Sequence, residues 1–313
     1  MDNNTTQSLN LIIMATTDDT KTELHLKISK TIALILTFFG SIGNCLIIYF
    51  FAHQRHQNNK KSSLKTISTY NIWTILLAVT DLIVCLLQVV RFGFPIFGIP
   101  NIPNMDETLG HGVCVAVSVS CWSICALSYD RYRAIVHPLK PRLKLKLIGG
   151  IYSIFWLLAF LFKSTAQSMN MDSLISLMFY HVVFETSLPI ISLRYYFIRI
   201  SKTFKQRDVL DNVAIKERNK RALRVCKRLI LCYVICVVPA RAFILIGQIL
   251  RDKLNYVFDP TKTEGQIYNY VIYYFDAFIV LNSCVNVLVY VKQIPAFRTF
   301  LIKTFARRQR SQK

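Results

Sequence analysis

The chain has 313 residues, 53% of them hydrophobic, with a mean hydropathy of +0.38, more apolar surface than a water-soluble fold of this size carries. Its formal charge of +21 and pI near 9.7 would suit a nucleic-acid binder if the basic residues shared one face. They fall instead in short blocks between long apolar runs, which excludes nucleic acid as a partner and makes a membrane the natural solvent.

Residues 1–28 read as a polar N-terminal segment with the sequons Asn3-Asn4-Thr5 and Asn4-Thr5-Thr6. Asn3 and Asn4 are glycan acceptors if this segment is extracellular, although such tripeptides also arise by chance. The segment lacks a basic n-region, so no cleaved signal peptide is expected and the first apolar run directs insertion. Apolar stretches then recur at about 29–52, 67–94, 107–129, 147–166, 174–200, 225–250 and 267–291. Each reaches the roughly 20 residues that a helix needs to cross the hydrocarbon layer, and runs of this length are not the short alternating strands of a barrel. The predicted fold is an all-α membrane protein in which one seven-helix domain fills residues 29–291.

The connections set the orientation. Residues 53–65 hold Arg55, Lys60, Lys61 and Lys65 with no acid, and 134–147 hold Lys140, Arg142, Lys144 and Lys146 with none. Residues 199–228 have eleven Lys or Arg against Asp208, Asp211 and Glu217, and the tail 292–313 has seven against none. The remaining connections are acidic or balanced. The positive-inside rule therefore places the odd-numbered connections and the tail in the cytosol and the N-terminus outside, as a multi-pass plasma-membrane protein.

No catalytic constellation stands out: there is no phosphate-binding Gly-rich loop, zinc-binding His pair or nucleophile elbow. The chain is not expected to be an enzyme, and no cofactor is expected. All nine cysteines lie in the apolar segments or at their cytosolic ends. Cys121/Cys125 and Cys232/Cys236 have i,i+4 spacing, which suits small residues at helix contacts better than a metal site.

The end of the third segment carries the most specific signal. Asp130-Arg131-Tyr132-Arg133-Ala134-Ile135-Val136-His137-Pro138-Leu139 resembles the DRYxAIxxPL signature of rhodopsin-like G-protein-coupled receptors. Gly43-Asn44, Leu77-Ala78-Val79-Thr80-Asp81, Trp156, Pro189, Cys236-Val237-Val238-Pro239 and Asn282 to Tyr290 resemble that family's landmarks in order. The resemblance implies coupling to a heterotrimeric G protein through Asp130, Arg131, Tyr132, Asn286 and Tyr290. In it, Asp130 holds Arg131 at rest, and opening of the sixth helix frees Arg131 for the G protein while Tyr290 swings inward.

Asp81 is an ionisable group deep in a helix, where a charge costs on the order of 2.5 to 3.5 kcal/mol and needs partners or water. Ser120 and the cluster Asn282, Ser283, Asn286 supply oxygens. In related receptors the matching positions hold sodium, so Na⁺ at Asp81, Ser120, Asn282, Ser283 and Asn286 is the resemblance-based expectation. The alternative is a hydrogen-bonded polar core without an ion.

The chain departs from the pattern in four places. Asp106 stands where the family keeps the cysteine that ties the third helix to a loop, and residues 157–188 contain no Cys. Val237 replaces the switch Trp of the sixth helix, and Val287 replaces the seventh-helix Pro that would free a carbonyl and kink the helix. Asn219 replaces an acid that clasps Arg131, which predicts high basal activity.

In the outer half, Gln88, Arg91, Val113, His181, Glu185, Arg241 and Asp276 are ligand-pocket candidates, the charged ones because intramembrane charges are functional by default. Glu185 with Arg241, and Asp276 with Arg91, either neutralise each other or face a peptide or zwitterionic ligand. Val113 stands where amine receptors keep an Asp, and Val280 where opsins keep the retinal Lys, which argues against both ligand classes. Residues 292–313 are expected to form a cytoplasmic surface helix on membrane lipid, with Phe297, Phe300, Leu301 and Phe305 on its apolar face. The rival readings are a ligand-binding or scavenger receptor without signalling and, less favoured for want of paired halves, a transporter.

Overall fold

The computed structural model describes residues 3–61, 69–99, 103–168, 179–206, 213–254 and 263–310. The long helices are α1 (Asn3–Lys61), α2 (Thr69–Ile96), α3 (Met105–Val136) and α4 (Leu145–Ser168). A π-helical stretch (Phe179–Ser187) leads into α5 (Leu188–Gln206), followed by α6 (Val213–Cys236), α7 (Val238–Leu254), α8 (Thr263–Gln293) and α9 (Pro295–Arg310). Six of the described spans, 23–54, 69–96, 105–136, 145–165, 223–247 and 265–293, are long and apolar enough to cross a membrane. The π-helical stretch with α5 supplies the fifth segment, giving the seven-helix bundle.

α3 is the central post, packed against α2, α4, α5 and α6, while α1 leans on α2 and α8. Its buried residues run nearly all round the helix, from Val113 to Ile135, as expected of a helix enclosed by others. α4 is the least enclosed and turns Leu157, Phe160 and Leu161 outward, an apolar face suited to lipid.

Without a hydrophobic drive between helices in lipid, close approach depends on small residues. A Cβ on Gly43 would lie 2.6 Å from Val287 Cγ2, and one on Gly40 would lie 2.7 Å from Cys284 Sγ. The absent seventh-helix proline is thus answered structurally: α8 runs unbroken through Val287, and Gly43 leaves room for the branched side chain that replaced it.

Several expected boundaries change. α1 begins at Asn3 rather than near 29, because no glycine or proline interrupts residues 3–39; Glu23 and Lys27 make an i,i+4 pair at 2.7 Å on its exposed face. The side chains of Asn3 and Asn4 lie outside the described residues. The sixth segment is two helices that meet at Val237, where Pro239 cannot donate a backbone hydrogen bond. The expected surface helix runs over Pro295–Arg310 and docks partly into the bundle. Phe297 is fully buried, 5.1 Å from the Phe50 ring, and Phe300 lies 5.3 Å from the same ring. The side chain of Phe305 lies outside the described residues.

Candidate functional site

Three polar constellations sit on this scaffold. At the centre, Asp81 of α2 is fully buried. Its Oδ1 accepts from Ser120 Oγ of α3 at 2.9 Å and from Ser283 Oγ of α8 at 3.3 Å, and its Oδ2 accepts from Asn286 Nδ2 at 2.5 Å. One carboxylate therefore ties three helices together. Asn282 is buried beside this sequence cluster but makes no hydrogen bond to Asp81, and its Oδ1 has no partner. Asn44 of α1, which was only a landmark in the sequence, donates to the Gly40 carbonyl at 3.0 Å and to the Ser283 carbonyl at 3.3 Å. The oxygens of Asn44, Asn282 and Asn286 are all buried without donors. Among the described residues no Lys, Arg or His pairs with Asp81, so an all-oxygen set with one uncompensated carboxylate suits a small hard cation.

At one end of the bundle, Asp130 and Arg131 form an ion pair, and Thr69 of α2 donates to the other Asp130 oxygen. The Arg131 guanidinium lies 4.6 Å from the centroid of the Tyr70 ring, a cation–π contact. This pair floors a cavity of about 840 Å³ that α1, α2, α3, α6 and the α8–α9 junction enclose. Tyr290 is buried close by, its ring 6.1 Å from that of Phe51 and its hydroxyl without a partner. Tyr132 does not join them. Successive residues on a helix diverge by about 100°, and Tyr132 instead stacks on Tyr196 of α5 at 5.4 Å and meets His137 Nε2 at 3.3 Å. Leu139, in the connection after α3, is 98% exposed. The Asn219 side chain lies outside the described residues.

At the opposite end the predicted charges find each other. Glu185 is wholly buried; its Oε2 lies 3.2 Å from Arg241 Nε and its Oε1 accepts from Ser118 Oγ at 2.5 Å. Pro189, four residues later, has no N–H to give the Glu185 carbonyl. That carbonyl receives the Tyr233 hydroxyl at 2.9 Å and the Cys121 thiol at 3.7 Å instead. Arg91 bridges Asp276 at 3.2 Å and Asp106 at 2.9 Å. Asp106, at the position aligned with the family's disulfide cysteine, thus holds the start of α3 to α2 by an ion pair, and all nine cysteines are unpaired thiols. Val113 and Gln88 are buried, and neither amide atom of Gln88 has a partner. The His181 side chain lies outside the described residues. Sequence reasoning missed His25 of α1, whose ring is 4.3 Å from that of Tyr270 and whose Nδ1 is 3.3 Å from the Tyr274 hydroxyl; a histidine in a polar N-terminal stretch carries no periodic signal.

A membrane-length helical bundle with a buried carboxylate at its centre and an arginine-floored cavity at one end defines a receptor of the seven-helix membrane class. The comparisons agree: the family described as 7 transmembrane receptor (rhodopsin family) matches residues 43–290. The chain belongs to that family and is a multi-pass membrane protein. It is 23% identical to human prokineticin receptor 1 over 219 residues, 58% of this chain and 54% of that one. It is 31% identical to the mouse substance-K receptor over 140 residues, 43% of this chain and 33% of that one. It is also 23% identical to the G-protein coupled receptor homolog K2 of swinepox virus over 296 residues, 83% of this chain and 72% of that one. The chain spans about half or less of the length of the first two relatives.

Proposed function

We propose that the chain is a plasma-membrane receptor that passes an extracellular peptide signal to a heterotrimeric G protein, with its N-terminus outside and the Arg131 end in the cytosol. The carrying observation is the Asp130–Arg131–Thr69 constellation at the floor of an open cavity. Here the Arg131 guanidinium is held by a neighbour on its own helix, an arrangement that suits a resting state. The basic connections at this end satisfy the positive-inside rule, and the exposed Leu139 offers a partner an apolar contact. A relative named as a receptor for tachykinin-like peptides favours a peptide ligand. The partly exposed Arg91–Asp276 pair is where such a ligand would insert its own carboxylate or amine, and the buried Glu185–Arg241 pair fixes the helices around it.

The test compares ligand-independent and peptide-stimulated G-protein activation with that of Arg131→Ala at matched surface expression. A charge-assisted hydrogen bond is worth about 1.5 to 3 kcal/mol, so coupling falls about 10- to 100-fold. Surface expression and peptide binding with no coupling in the parent chain, basal or stimulated, would turn the reading toward a non-signalling receptor, which Val237 and Val287 favour.

Na⁺ belongs to the same reading. Asp81, Ser120, Asn282, Ser283 and Asn286 would hold it and so neutralise the buried carboxylate, and Asn44 adds an oxygen. Peptide affinity is expected to fall with sodium in the parent chain and to lose that dependence in Asp81→Asn. Equal sodium sensitivity in both would leave only a hydrogen-bonded core.

A further inference from the structure

Two thiols meet at the centre of the bundle with no part in the Asp81 constellation. Cys85 lies on α2 one turn beyond Asp81, and Cys284 on α8 directly follows Ser283, a donor to Asp81. Cys85 is buried and Cys284 half-buried. A Cβ on Gly40 of α1 would lie 2.7 Å from the Cys284 sulfur and 2.9 Å from the Cys85 sulfur. Both sulfurs therefore crowd the clearance that one glycine leaves, and they face each other across the contact between α2 and α8. The Cys284 thiol also donates to the Leu36 carbonyl at 3.0 Å, which holds its sulfur at this junction. Cys121 and Cys125 differ, because they share α3 and donate to the carbonyls of Glu185 and Pro189. A helix contact asks only for small residues, and alanine or serine would meet that need. Two thiols from different helices carry a chemistry that those residues lack.

We propose that Cys85 and Cys284 form a thiol–disulfide site that a peroxide oxidises, fastening α2 to α8 beside Asp81. The Cys284 sulfur, the more accessible, attacks one oxygen of hydrogen peroxide. The O–O bond breaks, a sulfenic acid forms, and the thiol proton leaves with the other oxygen as water. The Cys85 sulfur then attacks the sulfenic sulfur; the S–S bond forms, the S–O bond breaks, and the Cys85 proton leaves with the hydroxyl as a second water. Two thiols are oxidised and one peroxide is reduced. Ser283 and Asn286 tie α8 to Asp81 by hydrogen bonds that can break and re-form, whereas a covalent bond at the same junction fixes the two helices until a thiol reduces it. Tyr290 lies further along α8. Its swing accompanies coupling in the receptor function proposed above, and on that reading the oxidised chain is held at rest.

The experiment uses the purified full chain in phosphatidylcholine nanodiscs, with and without hydrogen peroxide. Free thiols are alkylated after unfolding and counted by intact mass, and the chain is cut with trypsin without reduction. Cys85 is the one cysteine of the fragment 66–91 and Cys284 that of the fragment 263–292, so a linked pair of these fragments identifies the bond. Peroxide is expected to lower the count of alkylated thiols from nine to seven, to link the two fragments and to raise the melting temperature, and dithiothreitol should reverse all three. Cys85→Ser and Cys284→Ser should give no linked fragments and no rise in melting temperature. No link between these fragments, equal amounts of links to other cysteines, or an equal rise in melting temperature in the serine variants would overturn the proposal. Coupling of the parent should fall in proportion to the linked fraction, with that of Cys85→Ser unchanged by peroxide. A linked chain that couples as well as the reduced one would overturn the lock. Linking needs no G protein, so a chain that links but couples in neither state sinks only the signalling reading.

Discussion

The two ends of the bundle handle charge in opposite ways. At the end that carries Asp106, the charges among the described residues answer one another: Arg91 sits between Asp106 and Asp276, and Glu185 faces Arg241 with Ser118 on its other oxygen. At the Arg131 end, five basic side chains line a cavity whose one carboxylate among the described residues is already paired. The difference follows from the neighbours available. The outer charges lie on α2, α3, α7, α8 and the π-helical stretch and meet across helix contacts, whereas the cytosolic ones lie at helix ends and in a connection whose acids are absent. A closed set of charges holds helices in register, and an open set waits for a partner from outside.

The largest expected effect that can break this comparison is at the outer end. Removing one member of a buried ion pair costs about 3 to 5 kcal/mol because the other charge is left stranded. Arg241→Ala should therefore lower the thermal stability and surface yield of the receptor sharply, and Glu185→Gln combined with Arg241→Gln should recover most of the loss. If the single and double variants were equally unstable, the pair would not be a closed unit. An intermediate effect is expected where α1 and α8 approach closely: Gly43→Val overpacks against Val287 at a cost of about 1 to 3 kcal/mol. Val287→Ala in the same chain should restore the melting temperature, and failure to do so would mean that Gly43 serves another purpose. The smallest effect should come from Asp106→Asn. Its carboxylate is 62% exposed, and such a pair is worth about 0.2 to 1 kcal/mol, less in high salt. A larger, salt-insensitive loss would show that this ion pair does the full work of a covalent tie.

Much of this was legible in the sequence. Seven apolar runs and the partners of Asp81 on α3 and α8 follow from helical length and spacing, which are local properties, and the Asp130-Arg131-Tyr132 signature was legible through its resemblance to the receptor family. The pairs Glu185–Arg241 and Arg91–Asp276 were also named, as one of two readings, since neighbouring helices with opposite charges have few other ways to satisfy them. The remainder was not legible. Tyr132 was grouped with Arg131 through the family signature, and its side chain lies against Tyr196 of α5, a placement the signature does not specify. Asn282 was grouped with Ser283 and Asn286 by proximity, but only the latter two donate to Asp81. Neither the start of α1 at Asn3 nor the docking of Phe297 against Phe50 has a periodic signature strong enough to predict.

The sequence by itself determined the solvent, the helix count and the family the chain resembles, because length, apolarity and short motifs act along the chain. Only the tertiary structure decided how charge is distributed: which carboxylates are spent inside the bundle, that Asp106 takes over the tethering position, and that five basic residues from separate elements surround one cavity. Those outcomes depend on the convergence of side chains distant in sequence, and such convergence exists only once the helices are packed.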